Sequence, residues 1–166
     1  MKKTAIKKGA VPLDDLLLAA MGSEVIAKDF YLSAAAKAKS KAGKQLFSEL
    51  AEMEQAHYEN VRRVIDARET GIVISMPPPG KQLPALKGEI EGEFEPNKDE
   101  IVEVLTRGIE AEKKANARYK AIVEQINDPV GKELFARFAE DERRHQGLLE
   151  AEYYQISNKG TIIWGE

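Results

Sequence analysis

The sequence reads EQAH at residues 54–57 and ERRH at residues 142–145, two stretches that lie 88 positions apart. They contain the only two histidines of the chain, and each histidine follows a glutamate by three positions. Residues three apart lie on one face of an α-helix, so each glutamate–histidine pair can bind one ion from the same side. The repeated pair predicts a metal site that is built from at least two helices.

The same 88-residue offset relates a longer part of the chain. Between positions 24 and 57, eleven of 34 residues are identical to their counterparts at that offset, without a gap. A duplication retained for stability alone would preserve leucines and alanines and let the polar residues diverge. Here the residues that persist include carboxylates and imidazoles, which are metal ligands. The repeated pairs are Glu24 and Glu112, Tyr31 and Tyr119, Glu54 and Glu142, and His57 and His145.

Apolar residues recur at steps of three and four in four segments, which predicts four amphipathic helices. Asp14 is the expected N-cap of the first helix, and Asp128 before Pro129 is that of the fourth. Asn97 with Glu100 matches a capping box for the third helix. The predicted helices span about residues 14–39, 44–69, 98–127 and 129–156.

Prolines and glycines between residues 70 and 97 rule out a continuous helix there. A crossover of this length lets two helical hairpins pack with their ends reversed. The tail, residues 157–166, is too apolar around Trp164 to be free in water, so we expect it to dock on the bundle or on a second subunit. The sequence therefore predicts an all-α four-helix bundle of two duplicated hairpins, a long crossover and a short tail, within a single domain.

Composition excludes several function classes. The net charge of −3 and pI near 5.6 give no reason to expect nucleic-acid binding. The chain has no cysteine, which excludes disulfides, thiolate catalysis and iron–sulfur centres within it. No segment approaches the roughly 18 uninterrupted apolar residues of a membrane helix. We expect a cytoplasmic protein that has no nucleic-acid or membrane partner.

The repeated glutamates lie on apolar helix stripes, so they are expected to point into the core. Four buried carboxylates without counter-charge would be very costly, whereas two divalent ions would neutralise them. Two bridging carboxylates and one histidine per ion suit iron, or manganese, better than tetrahedral zinc. The predicted metal ligands are Glu24, Glu54, His57, Glu112, Glu142 and His145.

Tyr31 and Tyr119 each lie seven residues after a predicted ligand, nearly two helical turns on, and share its helix face. Each hydroxyl could hydrogen-bond a ligand carboxylate or donate an electron. Each ring could equally be a core side chain with a polar tip. We favour the hydrogen-bonding role at the site.

The remaining acids are set aside by position. Those two residues before a ligand glutamate lie about 200° round the helix, on its outer face. The acids of the crossover alternate, which is typical of a solvated loop or edge strand. The outer-face acids are Glu52, Glu110 and Glu140; the acids expected to be solvated are Glu59, Asp141 and Glu150; the crossover acids are Glu89, Glu91, Glu93 and Glu95.

The succession of a Glu helix, a Glu-x-x-His helix, a crossover, and the same two helices again resembles the ferritin-like di-iron carboxylate proteins. The resemblance covers roughly positions 13 to 156, and the doubled histidine motif is most similar to rubrerythrins and bacterioferritins. It implies a ferritin-like bundle in which Glu54 and Glu142 bridge two iron ions. It further implies Glu24 and Glu112 as terminal ligands.

The rubrerythrin resemblance implies an enzyme that reduces hydrogen peroxide or dioxygen at the dimetal site. Rubrerythrins usually carry a cysteine-bound electron-transfer module, and its absence here implies a separate electron-donor protein. They also usually have an additional glutamate one turn after the first ligand of the third helix, where this chain has Ala115. Glu110 is the nearby acid that could substitute for it as a switching ligand.

Two other functions remain open from the sequence. A bacterioferritin-like protein would oxidise and store iron in a large assembly. A non-catalytic bundle would use metal only for folding or partner docking. In each case we expect a homo-oligomer, a dimer or larger.

Overall fold

The computed structural model describes residues 11–77 and 92–164. It confirms the predicted all-α four-helix bundle and adds one pair of short strands. Among the described residues, no helix is long and apolar enough to cross a lipid bilayer. Crossover residues 78–91, with Glu89 and Glu91, and tail residues 165–166 lie outside the described part. The elements are α1 (Leu13–Lys37), α2 (Lys41–Thr70), β1 (Glu93–Phe94), α3 (Lys98–Gln125), α4 (Pro129–Lys159) and β2 (Thr161–Ile162).

One predicted N-cap is wrong and another lacks its predicted capping hydrogen bond, because tertiary partners bind the two side chains. Helix α1 has Pro12 at its N-cap, and the carboxylate of Asp14 instead accepts hydrogen bonds from Arg68 at 2.9 and 3.2 Å. Asn97 stands at the N-cap of α3 without a capping hydrogen bond, since its side-chain amide donates to the Lys37 carbonyl at 2.9 Å. Both residues tie one helix to another.

The two hairpin turns use the same capping arrangement. The hydroxyl of Ser40 accepts from the Gly43 N–H at 3.0 Å, so α2 begins at Lys41 and not at residue 44. In the predicted manner, the Asp128 carboxylate accepts from the Gly131 N–H at 2.7 Å at the start of α4. A Cβ at Gly43 would lie 2.8 Å from the Ser40 hydroxyl, which explains the glycine at this step of the repeat.

The helix ends also differ from the predicted ones by two or three residues. Helix α4 continues to Lys159, past the predicted end at Ile156, because no residue before Gly160 breaks it. Gly160 then adopts the left-handed conformation with φ of 69° and donates to the Ile156 carbonyl at 2.8 Å. Helices α1 and α3 end at Lys37 and Gln125, two residues earlier than predicted.

Helix α1 packs on α2 and α3 packs on α4, and the two hairpins meet mainly through α1 and α3. The core consists of two separate apolar clusters. On every helix, one cluster takes the residues before a central polar segment and the other takes those after it. On α1, for example, Leu17 and Ala20 belong to one cluster, Tyr31 and Ala34 belong to the other, and Glu24 lies between them.

The tail docks on the bundle of its own chain. Strand β2 pairs antiparallel with β1, and Ile162 and Trp164 are buried in one of the apolar clusters. The indole Nε1 of Trp164 donates to Glu49 Oε2 at 3.0 Å. The buried Glu152 accepts from the Ile163 N–H at 3.2 Å, and burial raises the pKa of this carboxyl to about 8. The last described residues are therefore part of the core.

Two acids of the crossover cap α2; Glu93 lies in an exposed strand, as expected, whereas the burial of Glu95 contradicts the expectation that it is solvated. Glu93 is exposed in strand β1, but its carboxylate accepts from two N–H groups in the first turn of α2, at 2.8 and 2.9 Å. Glu95 is fully buried. Its carboxylate accepts from the backbone N–H groups of Lys39, Ser40 and Asn97 at 2.8 to 3.1 Å and from the Ser40 hydroxyl. The crossover thus satisfies donors that the helix leaves free.

We expect Glu95→Gln to lower the free energy of unfolding by about 1–3 kcal/mol, because the new amide would present N–H groups to buried donors. Burial acts to raise the pKa of Glu95, but hydrogen bonds from Ser40, Lys39 and Asn97 outweigh it and lower the pKa. The stabilisation is therefore present above the pKa of an unfolded glutamate and is lost as the pH falls through the lower folded value. Urea unfolding at neutral and acidic pH measures both effects.

The control is Glu93→Gln, which removes a similar charge from the same helix end at an exposed position. It should cost less than Glu95→Gln. Equal losses in the two variants, or a Glu95→Gln loss that does not shrink in acid, would contradict this account of the cap.

Candidate metal centre

The six residues predicted as metal ligands lie together in one layer, between the two apolar clusters. None of them exposes more than 4 % of its surface. Because each helix crosses this layer at the same depth, the ligands of all four helices converge. Helix α1 supplies Glu24, α2 supplies Glu54 and His57, α3 supplies Glu112, and α4 supplies Glu142 and His145.

The ligand atoms form two overlapping groups that could each hold a metal ion, with all atoms of a group within 4.8 Å of one another. Two glutamates belong to both groups, so two ions could share two carboxylates. The first group contains Glu24, Glu54, His57 and Glu142, and the second contains Glu54, Glu112, Glu142 and His145.

Both imidazoles present the same nitrogen to this layer. His57 Nδ1 lies 3.0 Å from Glu142 Oε1 and 3.6 Å from Glu54 Oε2. His145 Nδ1 lies 3.1 Å from Glu142 Oε2 and 3.3 Å from Glu54 Oε1. The shared carboxylates therefore stand between the two histidines, as the overlap of the two groups requires.

The four carboxyl groups fall into two electrostatic classes. Burial, followed by the charges of neighbouring carboxylates, raises the pKa of Glu24 and of Glu112 well above the usual value. Burial acts in the same direction on Glu142, but the charge of His57 and the hydrogen bonds with Glu112, His145 and His57 together outweigh it and lower the pKa of Glu142. Hydrogen bonds likewise overcome burial at Glu54 and lower its pKa to about 2. These surroundings favour the protonated form of the two outer glutamates and the ionised form of the two shared ones.

The histidines supply the matching positive charge. Burial alone would lower the pKa of His57 and of His145. The charges of Glu142 and Glu112, respectively, together with hydrogen bonds to the facing carboxylates, outweigh burial and raise both pKa values well above the usual one. The carboxylates that face each imidazole thus favour its positively charged form. Metal cations would supply the same positive charge, and ligands of this kind release protons when a metal binds.

The two tyrosines join the hairpins. The Tyr31 hydroxyl of the first hairpin donates to Glu112 Oε1 of the second, and the Tyr119 hydroxyl of the second donates to Glu24 Oε1 of the first. Both rings are buried, and burial is the main cause that raises the pKa of each phenol. Each phenol stays protonated and fixes the orientation of one outer carboxylate, the one of the opposite hairpin.

Asp141 belongs to the site, which corrects the expectation that it is a solvated charge. Its Oδ2 lies 3.1 Å from His57 Nε2, the ring nitrogen that faces away from the other carboxylates. The residue equivalent to Asp141 in the first half of the repeat is Met53, which cannot accept such a hydrogen bond from a histidine. Accordingly, His145 Nε2 has no hydrogen-bond partner among the described residues. The contact joins α4 to α2, so no spacing within one helix could have indicated it.

The other acids that the sequence placed outside the site lie on the surface. Glu110 is exposed and pairs with Lys113 at 3.2 Å, so it does not reach the layer in this structure. Glu140 pairs with Arg143 and Arg144 at the surface. Three further acids are exposed, namely Glu52, Glu59 and Glu150.

A cleft of about 330 Å³ between α1 and α3 opens onto the layer. Ala115, at the position where the family resemblance implies an additional glutamate, lines it. The two walls differ in chemistry, although they occupy equivalent parts of the repeat. Helix α1 contributes Ile26, Ala27 and Phe30, helix α3 contributes Arg107, Lys114 and Arg118, and the floor includes Tyr31 and the four ligand glutamates.

Comparisons with known proteins agree with this geometry. The model of the rubrerythrin family matches residues 15–91 and 103–162. A solved structure of a hypothetical protein from Pyrococcus furiosus is similar, with 29 % sequence identity and a TM-score of 0.70, over 89 % of this chain and 91 % of that one. No curated protein matches the chain.

A second solved structure supports the fold alone. It is a two-domain protein from Anabaena variabilis that contains DJ-1/ThiJ/PfpI-like and ferritin-like domains. The sequence identity is 13 % and the TM-score is 0.64, over 91 % of this chain and 39 % of that protein.

Because Asp141 holds the outer nitrogen of His57, we expect Asp141→Ala to weaken one of two Mn²⁺ binding events by about 10–100-fold. Anaerobic titration calorimetry measures both events. The matched control is Met53→Ala at the equivalent position of the other hairpin, which should leave both affinities unchanged. Equal effects of the two substitutions would show that the Asp141 contact does not orient the histidine.

Proposed function

The chain belongs to the rubrerythrin family, and on this premise we propose that it is a non-haem di-iron oxidoreductase that reduces hydrogen peroxide. Family membership and the buried carboxylate–histidine layer together indicate a di-iron protein. The observation that carries the proposal is the pair of ligand groups that share Glu54 and Glu142. Dioxygen is the alternative oxidant at the same site.

The residues present fit two divalent ions. Glu24 with His57 would hold one ion, Glu112 with His145 would hold the other, and the two shared glutamates would contact both. The buried Glu24 Oε2 has no hydrogen-bond partner among the described residues, and Glu54 Oε1 faces His145 Nδ1 at 3.3 Å without a well-formed hydrogen bond, as expected of oxygens that bind a cation. Two divalent ions also balance the charge of four ionised carboxylates.

When bound, two iron ions, or manganese ions, would supply paired one-electron redox chemistry. A ligand set of mainly carboxylate oxygens with one imidazole per ion favours these metals over zinc. The protein residues would hold the ions, orient the ligands and keep bulk water out of the layer.

Proton positions follow from the hydrogen bonds around the layer. Tyr31 lines the cleft and carries a proton on its hydroxyl, which is bonded to Glu112 Oε1. Tyr119 does not line the cleft, so Tyr31 is the phenol placed to hold a proton near an incoming oxidant. Asp141 would accept from the Nε2–H of His57, which leaves Nδ1 free to bind an ion.

The reduction of one hydrogen peroxide to two waters consumes two electrons and two protons. These 166 residues contain no cysteine and therefore no thiolate-bound redox centre, so the proposal requires an electron donor outside this sequence. The cleft between α1 and α3 is the route by which the oxidant reaches the layer. Ala115 leaves that route open, where a larger acidic side chain would narrow it.

We expect Glu54→Ala to lose more metal than Glu24→Ala, because a shared ligand serves both ions. The wild-type protein should bind about two ions per chain, Glu24→Ala should keep about one, and Glu54→Ala should keep fewer. Elemental analysis after anaerobic loading with Fe²⁺ measures this. Glu52→Ala, an exposed glutamate on the same helix as Glu54, is the control. Equal retention in the Glu24 and Glu54 variants would refute the shared assignment.

We expect hydrogen peroxide to oxidise the reduced, iron-loaded protein with one peroxide consumed per pair of irons, faster than dioxygen does. Anaerobic stopped-flow absorbance with each oxidant measures the rates. A reduced centre that peroxide fails to oxidise would sink the peroxidase proposal. Sustained uptake of iron far beyond two ions per chain would instead favour the storage function, and inert loading would favour a purely structural metal.

A further inference from the structure

The two walls of the cleft between α1 and α3 are equivalent in the repeat but opposite in chemistry. The 88-residue offset relates Ile26 to Lys114 and Phe30 to Arg118, and all four residues line the cleft. The ligand glutamates at the floor are the same in both halves. The duplication has therefore retained the metal ligands, whereas the walls have diverged so that one is apolar and the other is cationic.

Two cations of the α3 wall have no partner within the described part of the chain. The side chains of Lys114 and Arg118 form neither a hydrogen bond nor an ion pair there, although Arg118 is half-buried. They lie four residues apart on one helix face, where like charges destabilise a helix. Arg107, the third cation of the wall, pairs with Glu103 of its own helix at 2.6 Å. An anion in the cleft would relieve the repulsion between the two unpaired cations.

The apolar wall also faces open space. Ile26 exposes 72 % of its surface, and Phe30 is half-buried. Ala27 and Ala115, which also line the cleft, carry only a methyl group each and leave it open. A space of about 330 Å³ that combines apolar side chains with a few charged groups has the form of a small-molecule site.

Hydrogen peroxide makes use of neither wall. It is small, uncharged and hydrophilic, so unpaired cations do not attract it and apolar side chains do not bind it. The cleft has about ten times the volume of one liquid water, and hydrogen peroxide is only slightly larger than water. The cleft is instead suited to a molecule that has an apolar body and a negative charge.

We propose that the cleft binds an organic hydroperoxide with an apolar body and an anionic group, and that the protein reduces this molecule at the metal layer. The inference rests on the proposed peroxidase function and names a substrate class for it. The apolar body packs against Ile26 and Phe30. The anionic group binds Lys114 and Arg118, and the Arg118 guanidinium can bind a carboxylate through two parallel hydrogen bonds. The peroxide group points to the floor of the cleft.

The reaction is a two-electron reduction of the hydroperoxide to an alcohol and water. The O–O bond breaks, one oxygen stays on carbon as a hydroxyl group, and the other leaves as water. Two protons and two electrons are consumed, and the electrons come from the external donor that the proposed function requires. Tyr31, whose hydroxyl carries a proton, belongs to the floor of the cleft, where the peroxide group lies.

Titration calorimetry of the Mn²⁺-loaded full chain with octanoate, 1-octanol and acetate tests the site. Octanol keeps the apolar body without the charge, and acetate reports a carboxylate that binds the metal directly. We expect octanoate to bind about 10-fold more tightly than octanol, because of its charge-assisted hydrogen bonds, and acetate to show no binding.

The repeat supplies the variants for this titration. Lys114→Ile, which introduces the residue of the equivalent position on α1, should abolish the advantage of octanoate over octanol. Arg118→Phe should do the same and serves if Lys114→Ile does not fold. Phe30→Ala should weaken octanoate and octanol alike. The matched control is Lys113→Ile, because Lys113 is adjacent and has the same charge but does not line the cleft. It should keep the advantage.

Anaerobic stopped-flow absorbance of the reduced, iron-loaded protein tests the reaction with 8-hydroperoxyoctanoate and the uncharged octyl hydroperoxide. The ratio of the two oxidation rates below saturation should fall about 10-fold in Lys114→Ile and stay unchanged in Lys113→Ile. Mass spectrometry should detect one 8-hydroxyoctanoate per hydroperoxide consumed.

The failure of this proposal differs from the failure of the proposed function. Octanoate that binds no more tightly than octanol, or equal losses in the Lys114 and Lys113 variants, would overturn the substrate class and leave the reduction of hydrogen peroxide as it stands. A protein that binds octanoate as expected, but whose reduced centre no peroxide oxidises, would overturn both.

Discussion

Four carboxylates buried in one layer impose the constraint on which the rest of the fold depends. Desolvation makes such a layer untenable unless opposite charge enters with it. Burial favours the protonated form of Glu24 and Glu112, and the neighbouring carboxylates favour the protonated form of His57 and His145. Two divalent cations would supply opposite charge in the same place. The apolar clusters above and below offer no counter-charge, so the layer itself must supply it. The four helices are aligned in depth because each of them contributes to this balance.

The duplication explains why the layer is symmetric. The differences between the two halves explain why its two sides have different surroundings. Each tyrosine serves the glutamate of the opposite hairpin, so neither hairpin holds a complete layer by itself. Away from the ligands the two halves differ. Asp141 contacts His57, whereas the equivalent position of the other half is Met53. The cleft has an apolar wall and a cationic wall at equivalent positions. Selectivity for an oxidant or a partner must arise from these unequal positions.

The sequence was sufficient to predict the four helices, because their apolar residues recur at helical spacing. It was also sufficient to predict the residues that converge on the layer, because they recur in both halves of the repeat. It was not sufficient for side chains whose partners are distant in the chain. Asp14 and Asn97 have the composition of helix caps, yet Arg68 and the Lys37 carbonyl take their hydrogen bonds. Glu95 belongs to an alternating acidic run that looks solvated, and its burial depends on donors more than fifty residues earlier. No local pattern encodes contacts of this kind.

Trp164 is the only tryptophan of the chain, and its docking has a spectroscopic consequence. The indole lies in the apolar cluster at the end of the bundle where the crossover, the tail and the first hairpin turn meet, and it bonds to Glu49 of α2. The emission wavelength of Trp164 therefore reports whether the tail stays packed against that end of the bundle. The same cluster contains Tyr31, whose hydroxyl contacts Glu112 in the metal layer. If the packing loosens from the tail toward the buried acids, the emission of Trp164 should shift to the red first.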